Sequence, residues 1–275
     1  MLPDVANLSS GEAVRGLRVR DAAGRSRDLP ARLTIGADGL RSVVARALGV
    51  RRAGALKRYA LAAHLAPVPG LLETAELLVS RHGYVGLNPL GGGLANATLV
   101  LPADRMSLAR GRAEQFFFEE LRRYPRVWER VQAARLEREV LVTGPFASWS
   151  RRATAPGALL VGDAADFFDP FTGEGICAAL RGAGLVARAL GEPLTRGTPL
   201  RLALAAYRRA RWRAFAGKWA VERAIGYAML APALFNRAVE RLERRGLAHT
   251  LIGVTGDFVP ARAVLNPVFL SRVMF

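Results

Sequence analysis

The sequence predicts an α/β fold in which one domain is divided along the chain, an antiparallel sheet is inserted into it, and helices end the chain. Three observations favour this fold. The apolar run 158–161 is typical of a buried strand, and it precedes a glycine-rich loop that opens a helix. Short strand-like segments separated by glycine and proline fill residues 59–101. Beyond residue 199 the apolar residues recur at helical spacing.

The first elements are predicted to be a β-hairpin, a strand and a short helix. The hairpin turns at residues 21–24, and the strand covers residues 32–35. Ser42 is a suitable N-cap for a helix over residues 42–48, and Gly49 is a suitable stop.

The later elements are predicted from the change in periodicity. The inserted sheet is expected to use four strands and to be followed by one helix and a returning strand. The C-terminal region is expected to hold two helices with a break near Pro232. In chain order the predicted strands cover 59–66, 76–81, 83–88 and 94–101, the helix 112–136, the returning strand 139–142, and the last helices 200–227 and 231–245.

The composition is apolar and strongly basic. The chain has 275 residues, of which 51% are hydrophobic, so it can bury the core of one composite domain or two. Its net charge is +17, and almost every basic residue is arginine, with lysine only at Lys57 and Lys218. A GC-rich coding sequence produces the same bias. The basic charge alone would suggest association with a nucleic acid or a membrane. Because the coding bias explains much of it, a nucleic-acid partner is not favoured, and peripheral membrane contact stays open.

Cysteine and histidine usage argues against disulfide and metal sites. Cys177 is the only cysteine, which favours a reducing compartment; we expect a cytoplasmic protein, with the inner membrane face as the alternative. Cys177 itself is expected to be a small buried residue. His64, His82 and His249 lack metal-ligand spacing, so no metal is expected. No signal peptide and no membrane-spanning run is expected.

The segment after the buried run carries the clearest functional pattern. The expected strand ends at Gly162 and Asp163, and a loop through Pro170 and Gly173 leads to a helix that opens near Glu174. A helix start presents unpaired N–H groups and the positive end of a dipole. Glycines let a flat ligand approach the main chain. The carboxylate at the strand end can accept hydrogen bonds from a polyol, and the arrangement suits a flavin.

These residues resemble a known family. Gly162-Asp163-Ala164-Ala165 with Pro170 and Gly173-Glu174-Gly175-Ile176 is similar to the second FAD motif of the para-hydroxybenzoate-hydroxylase-like flavoproteins, and is closest to the geranylgeranyl-reductase-like branch. Upstream, Gly36-Ala37-Asp38-Gly39 with Ser42 resembles the Gly-Ala-Asp-Gly-x-x-Ser motif of the same family. The resemblance implies FAD contacts at Asp38, Gly39, Gly162, Asp163, Pro170, Gly173, Glu174, Gly175 and Ile176. It identifies no catalytic residue.

The resemblance also implies a domain plan. Residues 1–57 and 138–198 would form an FAD/NAD(P)-binding, Rossmann-like domain, residues 58–137 a substrate-binding sheet and helix, and residues 199–275 a helical C-terminal region. Members of the family open with a strand and a G-x-G-x-x-G turn that holds the FAD pyrophosphate. This sequence begins without that motif, so the FAD-binding domain is expected to be N-terminally truncated and incomplete.

Several acidic residues have structural alternatives. Asp163 and Asp38 occupy turns in which aspartate commonly caps the next segment. Glu174 can act simply as a first-turn acid that favours the helix dipole. Asp166 stands where many members carry histidine or glycine, and a carboxylate there disfavours an anionic reduced ring unless it points away.

The implied function is FAD-dependent oxidoreduction with NAD(P)H or another donor as reductant. A monooxygenase that acts on an aromatic molecule and a reductase that acts on an isoprenoid or lipid-like molecule share the visible motifs. Two alternatives belong to other classes. The chain could be a catalytically incompetent fragment of such a flavoprotein, or a basic membrane- or nucleic-acid-associated protein. The substrate and the oligomeric state are not readable from these residues.

Overall fold

The computed structural model describes residues 13–71 and 73–274. The chain divides into two compact units. The first unit comprises the residues up to 54, then 147–224, and those from 241 onward; the second comprises 55–146 and 225–240. The first twelve residues of the predicted segment 1–57, and Phe275, lie outside the described residues.

The described residues form short strands, eight α-helices and several 3-10 turns. The strands are β1 (Gly16–Arg20), β2 (Ser26–Pro30), β3 (Thr34–Gly36), β4 (Arg51–Ala53), β5 (Arg58–Ala66), β6 (Glu76–Ser80), β7 (Gly83–Gly91), β8 (Leu94–Pro102), β9 (Arg135–Leu136), β10 (Leu141–Thr143), β11 (Ser148–Ser150), β12 (Thr154–Ala155), β13 (Ala158–Leu160) and β14 (Asp166–Phe167). The helices are α1 (Val43–Ala47), α2 (Ala113–Leu121), α3 (Pro125–Val131), α4 (Gly175–Thr195), α5 (Arg201–Ala228), α6 (Pro232–Arg244), α7 (Ala248–Thr255) and α8 (Pro267–Met274). The 3-10 turns are Ala103–Ala109, Gly162–Ala164, Pro170–Thr172 and Ala261–Ala263.

The first unit contains a parallel pair formed by two of the predicted strands. Strand β13 pairs in parallel with β3 and antiparallel with β12. Its three residues are fully buried, because helices cover the faces of such a sheet. Strand β11 pairs with both β4 and β14, and β1 and β2 form the predicted hairpin. The strands of this unit, together with the helices of the chain, confirm the α/β class.

Helices α4 and α5 pack closely on the buried strand. The Tyr207 hydroxyl on α5 donates a 2.7 Å hydrogen bond to the Leu160 carbonyl of β13. Leu159, Leu185 and Leu190 belong to the core that these elements share. This packing fixes the direction in which the chain leaves β13, and therefore the position of the loop that follows.

The second unit contains the predicted antiparallel sheet. Its strand order is β10-β5-β8-β7-β6, with β9 also paired to β5. Alternate residues of β5 and β8 are buried, and the aromatic residues Phe116 and Phe117 of α2 pack in the same core. The alternation is typical of a sheet with one face toward a core.

The single helix predicted over residues 112–136 is wrong. The chain forms two helices, α2 and α3, and α3 begins at Pro125. Proline lacks the N–H that a continuous helix needs and clashes with the preceding turn, but it is favoured at the first helical position. The last predicted helical residues, Arg135 and Leu136, instead form β9 against β5.

The predicted returning strand forms, but it pairs within the second unit. Strand β10 lies antiparallel to β5, with Val142 opposite Leu61. The compact units divide after Phe146, so residues 138–146, which are predicted to belong to the FAD-binding domain, lie in the second unit. The assignment of the ranges to FAD and substrate binding stays a prediction.

The helical C-terminal region is confirmed. Helix α5 ends at Ala228 and α6 begins at Pro232, so the predicted break near Pro232 is correct. Within the described ranges, no helix combines the length and the apolar composition needed to cross a bilayer.

Candidate functional site

A glycine loop, residues 161–174, connects β13 to α4. Gly162, with φ +59°, opens a 3-10 turn near the start of the loop. Gly173, with φ +69°, lies near its end. Both values lie in the left-handed region that favours glycine. Between them the Asp169 side chain accepts a 3.0 Å hydrogen bond from the Phe171 amide and so fixes the turn before Gly173. The loop has a defined path although it is only partly paired.

Helix α4 begins where the sequence predicts. Glu174 occupies its N-cap position, and its side chain makes no capping hydrogen bond. Among residues 13–71 and 73–274, no side chain accepts a hydrogen bond from the first-turn amides of α4. Ile176 is 78% exposed in this first turn, and Cys177 is also exposed. The expectation that Cys177 is buried is therefore wrong, because the neighbouring face of α4, and not this one, packs on the strand.

The Asp163 carboxylate lies beside the start of α4. Its Oδ1 is 3.7 Å from the position that a Cβ on Gly175 would take. In the part of the chain that the structure describes, no group donates a hydrogen bond to this carboxylate. Burial raises the pKa of Asp163 above its ordinary value. A partly exposed carboxylate without a protein donor at the start of a helix is a site where an outside donor is favoured.

Asp38 lies at the same edge of the sheet but serves a local role. Strands β3 and β13 run in parallel with Gly36 opposite Leu160, so Asp38 and Asp163 both follow carboxyl ends of neighbouring strands. The two oxygens of Asp38 accept hydrogen bonds from the Ser42 hydroxyl, at 2.6 Å, and from the Val43 amide, at 2.7 Å. The carboxylate therefore caps α1 together with Ser42, whose hydroxyl accepts from the Ala45 amide as predicted.

Asp166 is compensated by a cation. Its side chain is 8% exposed and lies 3.2 Å from the Arg223 guanidinium on α5. Burial raises the pKa of the Asp166 carboxyl, although Arg223 and Arg211 lower it. A carboxylate at this position disfavours an anionic reduced ring unless it points away, and the Asp166 carboxylate faces α5.

A second cation on α5 pairs with Glu174. Lys218 Nζ lies 2.6 Å from Glu174 Oε2, and both side chains are nearly fully buried. In the sequence, Glu222 lies between Lys218 and Arg223. Its pKa is raised to about 7, mainly by burial and then by the Glu174 and Asp166 carboxylates. Sequence reasoning missed Lys218 and Glu222. The signal for Lys218 was its residue type, since nearly every other basic residue is arginine.

The structure brings most of the predicted site residues together. Gly162, Asp163, Gly173, Glu174, Gly175 and Ile176 converge at the amino end of α4, and Pro170 opens the 3-10 turn before it. Gly39, with φ +73, follows Asp38 at the adjacent strand end. Their contact with a cofactor stays a prediction. No group of three or more histidine, cysteine or acidic residues suited to a metal ion occurs among residues 13–71 and 73–274.

Comparison with known proteins places this geometry in a family. Residues 4–222 match the family model described as FAD binding domain. Digeranylgeranylglycerophospholipid reductase of Methanothrix thermoacetophila is 31% identical over 219 residues, which cover 77% of this chain and 53% of that protein. The protein of the same name from Methanosphaerula palustris is 30% identical over 228 residues, which cover 80% of this chain and 54% of that protein. The chain thus spans about half the length of the curated relatives it matches.

A solved structure shares the fold. A geranylgeranyl bacteriochlorophyll reductase-like protein from Thermoplasma acidophilum superposes with a TM-score of 0.65 at 21% identity, covering 81% of this chain and 56% of that one. At this level of identity the likeness concerns the fold alone.

Proposed function

Because the chain belongs to the FAD binding domain family, we propose that its oxidoreductase chemistry is carried by FAD held at the amino end of α4. The observation that carries the proposal is the juxtaposition of Asp163, whose carboxylate has no donor among the described residues, with first-turn amides that no described side chain caps. These two groups fit the two edges of a flavin. A ribityl chain offers hydroxyl donors to the carboxylate, and the electron-rich edge of the ring suits helix amides.

The residues of the site would hold FAD by backbone geometry and one carboxylate. Gly173 has open space around its Cβ position, and its left-handed φ turns the chain into α4. The amides of Gly175 and Ile176 would face the ring edge, where negative charge grows on reduction. Asp163 would orient the ribityl chain. Bound FAD supplies hydride chemistry, and the protein contributes binding, orientation and exclusion of water.

Reduction of an isoprenoid or lipid-like double bond is the reaction that the comparisons favour. The relatives that cover most of this chain are named as reductases of a digeranylgeranyl lipid. NAD(P)H is proposed as the reductant, and a cytoplasmic location is proposed with it. Oxygen transfer to an aromatic substrate is the alternative reaction, since it requires the same flavin site.

Product mass distinguishes the two reactions. The purified protein, supplied with FAD and NAD(P)H, is incubated without oxygen with a digeranylgeranyl glycerophospholipid. Reduction adds two hydrogen atoms for each double bond saturated, whereas a monooxygenase adds one oxygen atom and needs air. A lipid gaining hydrogen under anaerobic conditions supports the proposal. An unchanged lipid together with oxygenation of an aromatic substrate in air would support the alternative.

A catalytically incompetent fragment is the remaining candidate. It predicts that the protein binds flavin weakly or not at all and turns over neither substrate. Riboflavin is an informative probe because it contains the ring and the ribityl chain but no pyrophosphate. Binding of riboflavin without turnover would indicate a flavin site that lacks the rest of the catalyst.

A further inference from the structure

Lys218 is a buried cation at the amino end of α4. Its side chain is 7% exposed, and Nζ lies 2.6 Å from Oε2 of Glu174, whose side chain is 6% exposed. The contact is an ion pair between two buried charges. A buried ammonium is destabilising unless a carboxylate compensates it. Each partner of this pair therefore depends on the other.

The same ammonium connects three segments of the first unit. Besides Glu174, Lys218 Nζ lies 3.8 Å from Asp257 Oδ1 and donates a 3.4 Å hydrogen bond to the Thr255 carbonyl. Asp257 is also paired with Arg181 on α4. Helix α5, the end of α7 and the start of α4 are thus joined through one cation, which restricts the rotation of the Glu174 side chain.

The ion pair decides where the Glu174 carboxylate points. A carboxylate next to the start of a helix is attracted by the helix dipole, and it can accept hydrogen bonds from the first-turn amides when it reaches them. Glu174 makes no such bond, because its carboxylate faces Lys218. The first-turn amides, from Gly175 to Cys177, are left available to an outside acceptor.

We infer that Lys218 is a positioning residue, which holds the Glu174 carboxylate away from the first-turn amides of α4 and keeps them open for a ligand. The inference rests on the proposed function, in which that ligand is the flavin. Lys218 acts through Glu174 and not through a contact of its own with the ring. A compact ammonium suits this task, since it pairs as a point charge in a small buried space.

Amide hydrogen exchange tests the inference without any flavin. In Lys218→Met the carboxylate loses its partner and turns back to the helix, so the Gly175–Cys177 amides exchange about fivefold more slowly, the ratio that one N-cap interaction produces. The matched control is Lys57→Met, which removes the other lysine, an exposed one, and leaves the exchange unchanged. Unchanged exchange in Lys218→Met overturns the inference. If that variant does not fold, Lys218→Gln is used, with the same expected direction.

Riboflavin binding provides the second readout. Lys218→Met is expected to weaken the affinity about fivefold, because Glu174 now competes for the amides. The double variant Lys218→Met/Glu174→Ala has no competing carboxylate and is expected to bind riboflavin more tightly than Lys218→Met. A double variant as weak as the single one overturns the inference. If the unmodified protein binds no riboflavin, the proposed function fails, and the exchange experiment still decides the role of Lys218.

Discussion

Gly182 on α4 lies directly against Val161 at the end of the buried strand. A Cβ built on Gly182 would come within 2.7 Å of Val161 Cγ2, closer than any real Cβ contact. Only glycine therefore allows α4 to approach the strand at this distance. Because the glycine loop spans the gap between these two elements, their separation sets the position of the amides at the start of α4.

Two glycines of α4 are expected to respond to alanine in opposite ways. Gly182→Ala forces the helix away from Val161 and is expected to lower the free energy of unfolding by about 1–3 kcal/mol. Gly191 has nothing within 4 Å of its Cβ position, so Gly191→Ala is expected to raise stability by up to about 1 kcal/mol. Urea unfolding of the two variants measures both changes. If both variants change the free energy of unfolding equally, the close approach of Gly182 to Val161 does not restrict residue 182 to glycine.

Asp38 is expected to contribute to stability as a cap of α1. Asp38→Ala removes the acceptor for the Ser42 hydroxyl and the Val43 amide, and we expect a loss of about 1 kcal/mol in the free energy of unfolding. Asp28→Ala is the control, since among the described residues Asp28 pairs only with Arg18, on the exposed hairpin. If both variants unfold at the same urea concentration as the unmodified protein, the capping role is refuted.

Glu222 is expected to make stability depend on pH. Its pKa is raised from 4.5 in the reference state to about 7 in the fold. The folded protein thus holds this proton more tightly than the unfolded chain, so the free energy of unfolding falls as the pH rises from about 4.5 to about 7 and then levels off. Glu222→Gln cannot lose a proton there. We expect it to match the unmodified protein near pH 4.5 and to be the more stable of the two near pH 8.

Thermal unfolding at several pH values measures this difference. Glu243→Gln, on an exposed position of α6, serves as the control and should retain the pH dependence of the unmodified protein. Asp163 and Asp166 also have raised pKa values, so some pH dependence is expected to persist in Glu222→Gln. Parallel pH profiles for Glu222→Gln and the unmodified protein would contradict the prediction.

The sequence predicted the elements whose cause is local. The Ser42 cap and the start of α4 next to Glu174 depend on residue type and on spacing within a few positions, and both are confirmed. The prediction of one long helix through Pro125 was wrong. It followed the apolar spacing on both sides of the proline, whereas in the structure the proline starts a new helix. Such errors arise where two local signals conflict.

The long-range partners in the site could not be predicted. Lys218 lies 44 positions after Glu174 in the sequence, and no periodicity relates them. Arg223 and Asp166 are similarly distant along the chain. Cys177 was expected to be buried because its residue type favours the interior, but which face of α4 packs inward depends on the strand that it covers. The glycine motif therefore predicted the loop between β13 and α4. The charged residues that pair with Glu174 and Asp166 could be identified only from the tertiary structure.

A riboflavin titration of Asp163→Ala against Asp28→Ala, followed by quenching of flavin fluorescence, tests the central claim most directly. If the Asp163 carboxylate accepts hydrogen bonds from the ribityl chain, Asp163→Ala weakens binding about tenfold or more, the effect of losing a hydrogen bond to a charged group. Asp28→Ala, which alters only an exposed ion pair, leaves the affinity unchanged. Equal dissociation constants for Asp163→Ala and the unmodified protein would contradict the account.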